Sequence, residues 1–96
     1  MLRVYKYILE FKDRQKILLP VGAKILSIGQ QGDIGGFPKL VLWAIVDPSL
    51  ENDCRYIRIT GTGHPIEEES NPVYINTVID NNGLVWHIFE QAVLDG

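Results

Sequence analysis

Val73-Tyr74-Ile75-Asn76-Thr77-Val78-Ile79-Asp80-Asn81-Asn82-Gly83-Leu84-Val85-Trp86-His87-Ile88-Phe89-Glu90 reads as two strands joined by a turn. From Leu84 onward, alternation with period two sets Leu84, Trp86, Ile88 and Glu90 on one face and Val85, His87, Phe89 and Gln91 on the other. Asp80 to Gly83 is polar, and its Asn-Gly pair supplies the positive φ values that tight hairpin turns require. A hairpin here commits the chain to antiparallel β-structure.

Working outward, the same period recurs. Arg3 to Phe11 alternates, with Tyr5, Tyr7, Leu9 and Phe11 on one face and Lys6 and Glu10 on the other. After a turn at Asp13-Arg14, Gln15 to Leu19 forms a second strand that stops at Pro20-Val21-Gly22. Ala23 to Gln30 is the third, with Leu26 and Ile28 on one face and Ile25 on the other. Gly29 to Pro38, with four glycines and a proline, reads as a flexible hairpin connection or a mobile loop. Leu40 to Val46 is apolar on both faces, which predicts a central strand covered on both sides. Arg55 to Thr60 alternates again, and Glu67-Glu68-Glu69-Ser70-Asn71-Pro72 is an acidic surface loop that keeps the protein soluble. Gln91 to Gly96 has the look of one helical turn. About seven short antiparallel strands predict one all-β domain over residues 1–96, a compact β-sandwich or partly open barrel. Such a small sheet leaves strand edges that invite a second copy, so a homo-oligomer is expected.

Composition sets limits on function. The 96 residues are 46% hydrophobic and 22% charged, an ordinary globular make-up. Nine Lys+Arg against twelve Asp+Glu give a formal charge of -3. Binding to long nucleic acid rests on a basic surface, so that class of partner is not expected. One cysteine, Cys54, forms no internal disulfide and points to a reducing compartment. The N-terminus lacks signal-peptide features, and the longest apolar run is too short to span a bilayer. The expectation is a soluble cytoplasmic protein without a membrane partner.

The chemistry concentrates in Arg58-Ile59-Thr60-Gly61-Thr62-Gly63-His64-Pro65-Ile66. A strand breaks into a Gly-Thr-Gly turn that delivers a histidine and stops at proline. Successive backbone N–H groups in such a turn form an anion-binding concavity, to which the Thr62 hydroxyl, Arg58 and His64 add hydrogen bonds. The plainer reading is a strand-ending turn that needs glycine only for φ. No Lys-Ser or Lys-Thr and no helix follow, so it is neither a P-loop nor a dinucleotide fingerprint. On the last strand, Trp86 or Phe89 would stack on a flat ring, against the plainer reading of Trp86 as core filler and His87 as a hydrogen-bonded, half-buried residue. Cys54, His64 and His87 show no metal-ligand spacing, and no nucleophile turn occurs. No metal, cofactor or catalytic residue is expected.

Four blocks carry a resemblance: Leu19-Pro20-Val21-Gly22-Ala23-Lys24-Ile25-Leu26-Ser27, Leu42-Trp43-Ala44-Ile45-Val46-Asp47-Pro48, Gly61-Thr62-Gly63-His64-Pro65-Ile66 and Gly83-Leu84-Val85-Trp86-His87-Ile88-Phe89-Glu90. Together they resemble a family of small proteins encoded by tailed bacteriophages and prophages. The resemblance implies a phage origin and a host-cytoplasm setting during infection, and it carries no activity with it. In that setting the expected function is non-enzymatic: capture of a small anionic ligand, foremost a nucleotide immune signal, as an anti-defence sponge. Arg58, Thr62 and His64 would grip the phosphate, Thr60, Gly61 and Gly63 would complete the ligand site, and Trp86, Tyr56 or Trp43 would cover the base. The alternatives are an interaction module that inhibits a host protein through a sheet edge or the acidic loop, and a minor virion or assembly component.

Overall fold

A computed structural model describes residues 1–67 and 71–92. Seven strands fill it: β1 (Arg3–Leu9), β2 (Arg14–Pro20), β3 (Lys24–Ile34), β4 (Phe37–Val46), β5 (Asn52–Gly61), β6 (Val73–Ile79) and β7 (Val85–Gln91). They pair antiparallel in two sheets, ordered β1-β4-β3 and β2-β5-β7-β6, that do not close into a barrel. The all-β sandwich expected from the period-two pattern is what forms. No helix among the described residues is long and apolar enough to cross a membrane.

The core lies between the sheets. Leu40, Leu42, Ala44 and Val46 line the inner face of β4, meeting Leu9 and Ile28 from its neighbours. Leu19, Ile57, Ile59, Val78 and Ile88 come from the facing sheet. Fully burying an aliphatic side chain of this size contributes about 1.5–3 kcal/mol, so these positions dominate the stability. On the outer face of β4, Val41 is buried while Trp43 and Ile45 are half-buried, so the predicted cover on both sides is complete only at Val41.

Several boundaries move for physical reasons. Of the two readings of Gly29 to Pro38, the hairpin connection forms and the mobile loop does not: β3 runs to Ile34 and β4 starts at Phe37, a long hairpin turned at Gly35 and Gly36 with φ of 57° and 86°. Gly32, at φ 78°, sits in the register shift between Gln30 and Asp33, so that glycine serves a β-bulge. A second shift, between Ile25 and Ser27, throws Leu26 outward and puts Ile25 and Ile28 on the same inner face. β1 stops at Leu9 rather than Phe11, and Arg14 already belongs to β2.

The hairpin turn also differs in detail. Only Gly83 has positive φ, at 82°. Gly83 N–H donates to the Asp80 carbonyl at 3.0 Å, and the Asp80 carboxylate accepts from the Asn82 and Leu84 amides at 2.8 and 3.0 Å. An aspartate therefore shapes this turn alongside the glycine. Gln91 continues β7 instead of opening a helix, and residues 93–96, where the rest of that helical turn was expected, lie outside the described residues.

The sheets are tied side to side where β3 meets β6. There the Asn76 carboxamide stands in for a strand, accepting from Ile28 N–H at 2.9 Å and donating to Ile28 C=O at 2.7 Å. At the end of the sandwich Arg55 pairs with Glu90 through two nitrogens and donates to the Ala23 carbonyl at 2.7 Å.

Candidate anion site on the four-stranded sheet

β5 carries the predicted loop at its end, and strand alternation divides that loop's residues. Ile57 and Ile59 face the core, so Arg58, Thr60 and Tyr56 face outward, beside His87, Phe89 and Gln91 of β7. Gly61 pairs with Trp86 on the inward side. The seven residues predicted to surround one ligand thus fall on two sides of a sheet.

At the crest, Gly63 takes φ 86° and His64 N–H donates to the Gly61 carbonyl at 3.1 Å, so that amide is consumed by the turn itself. The His64 ring folds over Gly61: a Cβ there would stand 3.2 Å from both Cε1 and Nδ1, and 3.6 Å from the Trp86 ring. Gly61, Thr62, His64 and Trp86 line an open pocket of about 290 Å³, completed by Gly83, Leu84 and Val85. The Thr62 hydroxyl lies 2.8 Å from His87 Nε2, and Thr77 Oγ1 lies 3.1 Å from Nδ1, with Tyr74 OH 2.8 Å beyond. Both imidazole nitrogens are thereby engaged by hydroxyls. Trp86 donates Nε1–H to Asp80 at 3.0 Å and meets Phe11 edge-on at 4.8 Å. Trp43 is on the other sheet, packed over Gly29. Of the three aromatic residues predicted to cover a base, Tyr56 is the one that shares a face with Arg58.

The connection from β5 to β6 must pass over β7, which lies between them in the sheet. Arg58 receives it, donating Nη2–H to the Pro65 carbonyl at 3.0 Å. Arg58 also faces Arg14 directly across the β2–β5 pair. Both approach the Glu67 carboxylate: Arg14 Nη2 donates to Oε1 at 2.6 Å, and Arg58 Nη1 stands 3.8 Å from Oε2. The Glu67 carboxyl is held below the usual carboxylate range, first by a hydrogen bond from its own backbone amide and then by the two guanidinium groups, against an opposing contribution from burial. Glu67 is therefore an ion-paired residue, not the solvated one the acidic run suggested. Glu68, Glu69 and Ser70 lie outside the described residues.

The same face gathers buried polar atoms that have no hydrogen-bond partner among the described residues: Arg14 Nε, Arg58 Nε, Thr60 Oγ1 and the Gln91 carboxamide. Each such atom ordinarily costs about 1–3 kcal/mol, so their clustering calls for explanation. Phe89 and Tyr74 add an edge-on ring pair at 5.8 Å. Among the described residues, no three His, Cys, Asp or Glu side chains group to hold a metal. Sequence reasoning named Arg58, Thr60 and Tyr56 but missed Arg14 and Glu67, because nothing local reports that position 14 will face position 58.

A family model described as "Domain of unknown function (DUF7352)" matches residues 1–95. No curated protein and no solved structure matches the chain.

Proposed function

The chain belongs to that family over nearly all of its length, and from this premise we propose that it is a non-enzymatic binding protein for a small anionic ligand, held on the outer face of the four-stranded sheet by Arg14 and Arg58. The observation that supports this reading is the convergence of two directly opposed guanidinium groups on one carboxylate. Like charges opposite one another in a strand pair are destabilising. The pair persists because an anion sits between them, and guanidinium forks suit carboxylate and phosphate alike. One carboxylate leaves one positive charge in excess, with two Nε–H groups and the Thr60 hydroxyl unpartnered among the described residues. A phosphate group carries more charge and three acceptor oxygens, enough to use those donors. Glu67 occupies the position that such a group would take.

Tyr56, Phe89 and Tyr74 share the face and would lie against a ring attached to the phosphate. The resemblance to tailed-phage proteins puts signalling nucleotides first among the anions to try, in the role of an anti-defence sponge. The crest pocket between His64 and Trp86 is the second place such a ligand would bind, supported by the exposed imidazole beside an indole.

Calorimetric titration with pyrophosphate and with cyclic and linear nucleotides tests the reading on wild type, Glu67→Gln and Arg14→Gln. At least one of these anions is expected to bind wild type. Removing the internal carboxylate should tighten that binding by about tenfold, equivalent to roughly 1.4 kcal/mol. Arg14→Gln should weaken it. Failure of both wild type and Glu67→Gln to bind any of them, in folded samples, overturns the proposal.

A further inference from the structure

Arg55 shows a fully satisfied guanidinium in this chain: its Nε and Nη2 meet both carboxylate oxygens of Glu90, and Nη1 donates to the Ala23 carbonyl. Arg14 and Arg58 both fall short of that. On Arg14, Nη2 donates to Glu67 Oε1, while Nε has no hydrogen-bond partner among the described residues. On Arg58, Nη2 is taken by the Pro65 carbonyl, and Nε again has no partner among the described residues. Its Nη1 stands 3.8 Å from Glu67 Oε2, beyond hydrogen-bond reach. Arg58 is nevertheless only 7% exposed. A buried charge is costly unless it is paired and hydrogen-bonded, so the pairing here is built for more than Glu67 supplies.

The shortfall can be counted in charge and in oxygens. The two guanidinium groups carry two positive charges, and Glu67 returns one. Lys16, two positions along β2 from Arg14 and exposed on the same face, adds a third cation. A carboxylate and a phosphodiester are alike in this respect, each offering one negative charge and two free oxygens. Either one, set in the place of Glu67, would leave the same charge unbalanced and the same donors idle. Glu67 is also tethered, so it competes at high effective concentration, and a ligand that merely equals it gains little by displacing it. A phosphomonoester differs on both counts. Above its second ionisation, at about pH 6, it carries two charges on three free oxygens. Those oxygens match the Nε and Nη2 of Arg14, the Nε of Arg58 and the Thr60 hydroxyl, which is likewise buried and unpartnered among the described residues.

We infer that the Arg14–Arg58 site selects a terminal phosphate, a phosphomonoester dianion, over phosphodiesters and carboxylates. The inference rests on the anion-binding reading above and narrows it: among nucleotides, the site takes linear ones that end in a phosphate and passes over cyclic ones, whose single phosphate is a diester.

Two pairs of probes that differ in the ester test it: methyl phosphate against dimethyl phosphate, and adenosine 5′-monophosphate against its 3′,5′-cyclic form. Calorimetry at about pH 8 keeps the monoesters dianionic. Wild type should bind the monoester at least about tenfold more tightly than the diester. Arg14→Gln removes one of the two matched charges, and the preference should fall below about threefold. Glu67→Gln should tighten binding of both kinds and keep the preference. Equal affinity of wild type for monoester and diester overturns this inference and leaves the anion-binding reading standing. A preference undiminished in Arg14→Gln also overturns it, since the selectivity would then reside elsewhere. Failure of wild type and Glu67→Gln to bind any of the four probes overturns both. Circular dichroism on the two variants confirms that the fold is kept.

Discussion

Asp80 shows how one side chain can set a local structure that the sequence pattern only outlines. Its carboxyl lies below the usual carboxylate range, chiefly through the Trp86 indole N–H and further through the Leu84 and Asn82 amides, with burial opposing. A depressed folded-state value means that the stabilisation is present above the unfolded-state value, about 3.9, and is lost as pH falls through the folded one. Denaturant titrations from pH 7 to pH 2 should therefore show wild type losing more stability across the acid limb than Asp80→Asn does. Parallel curves would remove this role. Gly63 and Gly61 make a second contrast. Gly63→Ala forces a side chain into φ 86° and should cost about 1–2 kcal/mol. Gly61→Ala crowds the exposed His64 ring, meets Trp86 at an ordinary contact distance and should cost less, while shifting the His64 resonances in an NMR spectrum. At this scale the glycines and the histidine stood out in the sequence. The direction each side chain takes was available from strand alternation, which already separates Arg58 and Thr60 from Gly61.

Among the elements, the period-two pattern was fully legible and its interruptions were not. The alternation in Arg3 to Phe11, Arg55 to Thr60 and Leu84 to Glu90 finds β1, β5 and β7 but not their ends, since β1 stops at Leu9 and β5 already starts at Asn52, in what reads as a polar loop. A bulge adds one residue and reverses the facing beyond it, so Ile25 and Ile28 share the core despite odd spacing. In the same way, four glycines between Gly29 and Gly36 suggest a loop, although a bulge and a two-residue turn consume most of them. The Asn76 side chain is the clearest hidden element-scale contact, since an asparagine in a strand reads as a solvent-facing residue. Asn76→Ala leaves both backbone groups of Ile28 without that partner and should lower unfolding free energy by roughly 1–3 kcal/mol. Asn76→Asp, which keeps the acceptor but loses the donor, should be at least as harmful. Urea denaturation of the two variants checks both, and an unchanged midpoint in Asn76→Ala would show that the sheets hold without the clamp.

For the whole molecule, fold class was readable and sheet order was not. Seven short amphipathic strands can be arranged in many ways, and local residues do not say that β5 and β6 will flank β7. That order creates the crossing connection, and the crossing brings Glu67 to Arg14 and Arg58 from 53 and nine positions away in sequence. The candidate site is thus a product of topology. Its sequence signal was half visible, in Arg58 and Thr60, and half dispersed.

The central claim concerns the two guanidinium groups, and their side-chain Nε–H resonances report on it directly. In a ¹⁵N–¹H spectrum titrated with pyrophosphate, Arg14 and Arg58 Nε–H should move together and saturate, while Trp86 Nε1–H, committed to Asp80, stays in place. Arginine signals that remain fixed while anion is added in excess would contradict the account.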